Sequence, residues 1–214
     1  MRGQRISKVM IVVLFIGICI SGTAIAGNKE YIDQQQPNDI NAFSPVNLNG
    51  VIGQTFRPEI KGHLTRVALK LKKVLGYSVA NTPIYPGDLI VEIRPTIGNV
   101  APNDEVMATA SIKELQIAEE TPQWYEAIFE NPPALSSENT YTIVLRVMEE
   151  VPSDLEGTRA SYSVCYSADD VVDPYPSGML IGKGAGTPYW FWLRLSDWNF
   201  MDAAFATYMA RGMN

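Results

Sequence analysis

Aromatic side chains gather near the C-terminus of this 214-residue chain. An exposed aromatic ring can stack on the apolar face of a ring-shaped ligand, so such a cluster is a candidate binding platform. Trp190 and Trp192 are two residues apart and would share one face of a strand, with Tyr189 and Phe191 on the other face. One of these pairs is therefore expected in the core. The candidate ligand-binding residues are Tyr175, Tyr189, Trp190, Trp192 and Trp198.

Several aspartates are candidate ligands for calcium, a cation that takes about six to eight oxygen ligands. They are Asp33, Asp173, Asp202 and the pair Asp169-Asp170. The chain contains no D-x-D-x-D-G loop, the pattern with which an EF-hand begins its calcium site. The alternative is that these carboxylates cap or bridge turns.

Side chains for catalysis are scarce. His63 is the one histidine in the chain, so a histidine-dependent triad or a His-rich zinc site lacks material. Cys165 stands inside an apolar alternation, which predicts a buried thiol and not a nucleophile. A glycosidase needs two carboxylates across a cleft, and the spacing of the 23 acidic residues singles out no pair. The sequence predicts a protein that is not an enzyme.

The first 26 residues are predicted to be a secretory signal peptide. Basic residues at positions 2, 5 and 8 precede an apolar run over 9–20, and Ala24-Ile25-Ala26 is a small-x-small cleavage pattern. A membrane span needs about 20 apolar residues, so cleavage is favoured over an uncleaved anchor. The expectation is a secreted protein, extracellular or periplasmic, that is not integral to the membrane after cleavage.

The charge of the mature chain limits its partners. The whole chain has 17 basic and 23 acidic residues, and the signal removes three basic and no acidic ones. That leaves 14 basic against 23 acidic residues and a formal net charge of −9, which argues against nucleic acid and anionic membranes as partners. Cys165 would be the one cysteine left, so no intramolecular disulfide is expected.

Short alternating apolar runs dominate the rest of the chain. About nine strands and no amphipathic helix indicate an all-β fold, an antiparallel two-sheet β-sandwich. We expect residues 27–49 to form a polar N-terminal arm with one edge strand near 31–35, with a disordered linker as the alternative. Residues 50–214 are expected to form the sandwich domain. Lys70, Lys72 and Lys73 are expected on the solvated face of one strand. The predicted strands include 51–56, 64–72, 89–94, 106–112, 124–129, 141–148 and four runs within 162–208.

The order of the motifs resembles the jelly-roll modules of secreted and cell-surface prokaryotic proteins, which are similar to carbohydrate-binding modules. The resemblance implies a two-sheet jelly roll on exported proteins and no settled activity. Where such folds bind sugar, aromatic faces stack on pyranose rings beside amides and carboxylates. The resemblance also implies a structural calcium near the chain ends, which favours Asp33 and Asp202. The motifs that carry it are Gly53–Phe56, Gly62–Leu69, Leu89–Arg94, Trp124–Pro132, Thr140–Leu145, Tyr175–Gly178, Trp192 and Asp202–Tyr208.

Two functional hypotheses follow. The first is a non-catalytic extracellular binding module whose partner is a glycan. The second is a structural cell-surface or matrix protein that acts through protein–protein contacts. Sugar binding that is lost on Trp→Ala substitution would favour the first, and self-association without sugar would favour the second.

Overall fold

The computed structural model describes most of the chain between residues 29 and 211. The ranges are 29–38, 42–47, 50–78, 80–81, 83–98, 101–147, 157–158, 160–169, 173–184, 187–193 and 200–211. The predicted signal peptide, Asp170 and Trp198 lie outside these ranges, and the side chain of Trp192 is likewise not described.

Nearly all regular structure in the described residues is strand, with one 3-10 turn, η1 (Glu114–Gln116). In chain order the strands are β1 (Glu30–Gln36), β2 (Ala42–Val46), β3 (Gly50–Phe56), β4 (Gly62–Val74), β5 (Gly76–Ser78), β6 (Pro83–Ile84), β7 (Leu89–Ile97), β8 (Ala101–Pro102), β9 (Ala108–Ile112), β10 (Gln123–Ile128), β11 (Ala134–Leu135), β12 (Tyr141–Val147), β13 (Gly157–Thr158), β14 (Ser161–Asp169), β15 (Leu180–Gly184), β16 (Phe191–Trp192), β17 (Phe200–Ala203) and β18 (Phe205–Ala210).

Eight of these strands form the jelly roll that the motif order implied. Sheet A has the order β1-β18-β4-β10, and sheet B has the order β3-β12-β7-β9. Counted along the chain, these are strands 1-8-3-6 and 2-7-4-5, the antiparallel arrangement of a two-sheet jelly roll. The predicted all-β, antiparallel two-sheet sandwich is therefore confirmed.

The chain between β12 and β18 enlarges both sheets. β14 extends sheet A, where it pairs with β4, β2 and β17. β15 adds to the edge of sheet B beside β3, and the short β16 follows it. β5, β6 and β13 form a small third sheet. The stretch 27–49, expected as an arm with one edge strand, contributes β1 at the edge of sheet A and also β2.

The core lies between the two sheets and is made by alternate residues of their strands. Val67, Leu69 and Leu71 of β4 are fully buried, as the alternation predicted. Leu64 was expected on the opposite face and is also fully buried. The reason is an irregularity at Thr65, where the β18 pairing steps from Arg66 directly to Leu64; an extra residue in one strand reverses the faces beyond it.

Lys73 corrects the expectation of three solvated lysines on β4. Its side chain points to the inner side and is only 6% exposed, and its ammonium pairs with Glu114 of η1 and lies 3.5 Å from Glu119. A buried cation needs such partners. The chain after β9 therefore folds over the end of β4 and covers this lysine.

No helix among the described residues has the length and apolar character that a membrane crossing requires.

Candidate functional site

A groove of about 420 Å³ crosses the solvent face of sheet A. Its floor contains Ala68 of β4 and Ala206 of β18, which are paired directly opposite each other. Two adjacent small side chains leave a depression where larger residues would fill the surface. The walls are formed by Gln35, Pro37, Trp124, Glu126 and Tyr208, with Phe205 reaching the groove from beneath.

The pairing register explains why these residues meet. Glu126 of β10 is opposite Ala68, and Gln35 of β1 is opposite Ala206. Gln35, Ala206, Ala68 and Glu126 therefore form one row across four strands, with both alanines in the middle. Trp124 and Tyr208 lie on the same face on either side of this row, because alternate residues of a strand share a face. Trp124 is 43% exposed, so its ring is accessible at the wall.

Arg66 organises the charges beside the groove. Its guanidinium forms ion pairs with Glu30 at 2.8 Å and with Glu126 at 2.6 Å. The guanidinium carbon also lies 3.9 Å from the ring centroid of Tyr208, a cation–π contact. These contacts hold Glu126 and Tyr208 in place, so the walls of the groove are positioned before any ligand arrives.

The predicted aromatic run around Tyr189 lies elsewhere, at the edge of sheet B. Tyr189 is 77% exposed and Phe191 is 47% exposed, while Trp190 is partly buried. Phe191 belongs to the two-residue strand β16, which pairs with Ile181 and Gly182 of β15. The outward pair is thus Tyr189 and Phe191, and the run contributes one strongly exposed tyrosine.

Tyr175 is separated from that run and from solvent. Its ring is 7% exposed and packs edge-on against Phe205 with a centroid distance of 5.1 Å. Its hydroxyl donates a hydrogen bond of 2.7 Å to Oε1 of Gln34. Such a ring offers no free face for stacking, so Tyr175 serves the packing between the sheets. The structure does not bring it together with Tyr189.

Asp202 lies at the centre of what we call the buried polar cluster, made of Asp33, Gln34, Gln54, Tyr175 and Asp202. It is 1% exposed. Its Oδ1 accepts a hydrogen bond of 2.8 Å from Nε2 of Gln54, and its Oδ2 accepts one of 3.2 Å from the backbone N–H of Tyr175. These bonds join β17 of sheet A to β3 of sheet B and to the turn 175–178.

Burial raises the pKa of the Asp202 carboxyl from 3.8 to about 8, although the hydrogen bond from Gln54 favours the ionised form. The neighbouring Asp173 raises it further through its charge and through a hydrogen bond. Asp202 is therefore protonated at neutral pH. Burial likewise raises the pKa of Asp33, even though the backbone N–H groups of Glu59 and Ile60 donate to its Oδ1 at 3.1 and 2.7 Å.

The arrangement of Asp33 and Asp202 does not fit a calcium site. Both oxygens of Asp202 accept N–H bonds, and Asp33 offers one buried oxygen, Oδ2, that lacks a hydrogen-bond partner. Calcium needs several more oxygens around one point. The described part of the chain contains no group of three or more His, Cys, Asp or Glu side chains suited to a metal. Calcium binding by the protein stays a prediction.

The residues considered for catalysis occupy structural positions. Cys165 is a fully buried thiol within β14, as predicted. His63 lies in sheet A between Ala134 of β11 and Ala210 of β18. The hydrogen-bonded carboxyls of Asp173 and Asp202 meet where Asp202 is closed to solvent. That the protein is not an enzyme stays a prediction.

Sequence reasoning missed Gln35, Ala68, Ala206 and Glu126, and it used Trp124 and Tyr208 only as motif residues. One signal was present: Ala68 and Ala206 fall on the outward face of their strands, where small apolar residues are unexpected next to long polar ones. In the structure they are 5% and 8% exposed, because the longer side chains around them form the walls. Finding the groove also requires knowing that β18 lies between β1 and β4.

The chain matches no protein-family model and no curated protein.

Proposed function

We propose that this protein is a non-catalytic extracellular binding module for glycans and that the groove on sheet A is its site. The observation that carries the proposal is the lining of the groove: two alanines at the floor, aromatic rings at opposite corners, and an amide and a carboxylate along the row. The extracellular location rests on the predicted signal peptide over residues 1–26.

The lining suits the chemistry of a sugar. One face of a pyranose ring presents C–H groups that pack against an aromatic ring such as that of Trp124. Its edge presents hydroxyls, which both donate and accept hydrogen bonds. Gln35 can do both, and Glu126 accepts. The alanine floor lets a flat ring approach the backbone of the sheet closely.

A glycan-array screen of residues 27–214 tests the proposal. We expect binding to a subset of saccharides, and we expect Trp124→Ala to abolish it while the fold is retained. Tyr189→Ala is the matched control, because it removes an exposed aromatic ring outside the groove. Loss of binding in Tyr189→Ala with full binding in Trp124→Ala would move the site to the edge of sheet B. A blank array with folded protein would refute glycan binding.

The same screen with added calcium and with a chelator tests the calcium prediction. A calcium requirement would appear as binding that the chelator weakens. Binding that is unchanged by the chelator would retain the glycan site without the metal.

A structural role through protein contacts is the second candidate, and one observation favours it. Ile128 is 65% exposed on β10 and borders a cleft of about 730 Å³ beside the edge strand β9. An edge strand can pair with a strand of another chain, and exposed apolar groups beside it can pack against that chain. Light scattering tests this candidate: self-association without sugar that Ile128→Lys prevents would support it, and a monomer at all concentrations would count against it.

A further inference from the structure

The charges at the groove distinguish one class of glycan from another. Among the residues that line it, Glu126 is the one ionised side chain. Arg66 stands next to Glu126, but Glu30 and Glu126 occupy its guanidinium and the ring of Tyr208 lies against it. Glu30, Arg66 and Glu126 together therefore carry one net negative charge beside the groove, and no cation belongs to the lining.

Lys70 is a second outward cation of β4, on the opposite side of Ala68 from Arg66. It is two residues beyond Ala68 and pairs with Trp124, so it lies at the corner of the groove and is not part of its lining. A carboxylate or sulfate on a bound sugar would meet Glu126 at the row, where the lining supplies no cation. The mature chain, with 14 basic and 23 acidic residues, repels anions further.

The two aromatic walls indicate the length of the ligand. Trp124 pairs with Lys70 and Tyr208 pairs with Arg66, so they are four residues apart along β4 and two strands apart across the sheet. At about 3.3 Å per residue and about 4.8 Å per strand, their separation is roughly 16 Å. A single pyranose ring cannot reach both walls, whereas a short chain of rings can.

Building on the proposed function, we infer that the groove binds an uncharged glycan chain lying diagonally across sheet A between Trp124 and Tyr208, and that Glu126 excludes anionic glycans. Because Arg66 is held by two carboxylates, neutral hydroxyls are the groups that the lining can satisfy. Recognition then depends on stacking and on hydrogen bonds to uncharged hydroxyls, so salt has little effect on it.

Titration calorimetry with defined oligosaccharides tests the inference. The probes are hexose, N-acetylhexosamine and hexuronate oligomers of one to six rings. We expect affinity for a neutral series to rise with chain length to a plateau, with little salt dependence, and hexuronates to bind more weakly. Tighter binding of hexuronates than of every neutral series, or equal affinity for one ring and six, would overturn the inference and leave glycan binding intact. Absence of binding to every probe would refute the proposed function itself.

Glu126→Gln is the informative variant. Removing one charge about 6 Å from a ligand carboxylate should raise the hexuronate-to-neutral affinity ratio by about threefold in water-like surroundings and by more where the groove excludes water. Glu105→Gln is the matched control: it makes the same change in net charge at an exposed position outside the groove lining, and it should leave the ratio unchanged. An equal response to both substitutions would show that net charge and not Glu126 sets the preference, which would overturn the role given to Glu126.

Discussion

The groove and the buried polar cluster use the same kinds of side chain for opposite purposes. Each contains a glutamine, a carboxyl group and a tyrosine, and β1 contributes to both through neighbouring residues. Gln34 faces inward, where its Oε1 accepts a hydrogen bond from the hydroxyl of Tyr175 and its Nε2 donates one to the carbonyl of Asp33. Gln35 faces outward at the groove wall. The comparison shows that the face of the strand, and not the residue type, decides whether a polar group remains open to a ligand.

The largest expected difference between the two regions is in how they make the stability of the protein depend on pH. The folded pKa of Asp202, about 8, exceeds its ordinary value of 3.8, so the folded chain binds more protons than the unfolded chain between these values. The stabilisation is fully present below about pH 4 and is lost as the pH rises through about 8. At about 1.4 kcal/mol per pKa unit, the change is of order 5 kcal/mol. Asp33, whose pKa burial also raises, acts in the same direction.

Chemical denaturation at several pH values measures this effect. Asp202→Asn should flatten the profile, because its amide can accept from Gln54 and donate to Asp173 without a titrating proton. The N–H of Tyr175 loses Oδ2 of Asp202 as an acceptor and keeps Oδ1 of Asp173 at 2.9 Å. Gln35→Ala, in the groove, removes no titrating group and should leave the profile as it is. A wild-type stability that increases from mildly acidic to mildly alkaline pH would contradict the assignment of a protonated Asp202.

Gly178→Ala should have the next largest effect on stability, because Gly178 lies where the turn 175–178 packs against β3 beside the buried polar cluster. A Cβ at this position would lie 1.9 Å from the carbonyl oxygen of Thr55, and that contact is with backbone. The turn would have to move away from β3, at a cost of about 2–4 kcal/mol. Gly184→Ala is the control, because its nearest neighbour would be 4.0 Å away. Thermal unfolding of both variants measures the difference, and equal melting temperatures would refute a tight closure.

Alanine substitution of the two neighbouring glutamines should have the smallest effect on stability, and it compares the two faces of β1 most directly. Gln34→Ala leaves the buried hydroxyl of Tyr175 without its acceptor and should cost about 1–3 kcal/mol. Gln35→Ala, one residue further on, should change stability by less than about 0.5 kcal/mol. A double-mutant cycle with Tyr175→Phe should show non-additivity for Gln34→Ala and additivity for Gln35→Ala. Equal costs for the two alanine variants would remove the distinction between the faces.

The sequence predicted the strands that alternate cleanly between core and solvent. Leu89, Val91 and Ile93 of β7 were expected inward and are fully buried, because period-two burial follows from the geometry of a strand. The alternation did not predict which side chains are buried where a strand contains an extra residue. An extra residue at Thr65 turned Leu64 inward, and a similar register shift at Asp33 allows both Asp33 and Gln34 to be buried.

The groove was beyond sequence reasoning for a different reason. Gln35, Glu126 and Tyr208 come from three strands that are distant in the chain, and they meet only through the pairing register. The aromatic residues of the run 189–193, by contrast, are adjacent in the sequence, and the sequence analysis therefore predicted the ligand site there. Its strand is only two residues long, which places Tyr189 outside the sheet.

The position of β18 between β1 and β4 has a consequence for how the chain reaches this structure. β18 fills the gap between β1 and β4, both of which precede it by a long stretch of chain, so sheet A closes only after β18 has been made. Contacts of such long sequence separation make folding slow. Before β18 pairs, the facing edges of β1 and β4 are unpaired. The groove then lacks Ala206 from its floor and Tyr208 from its wall. Folding of sheet A and formation of the groove are therefore completed in the same step.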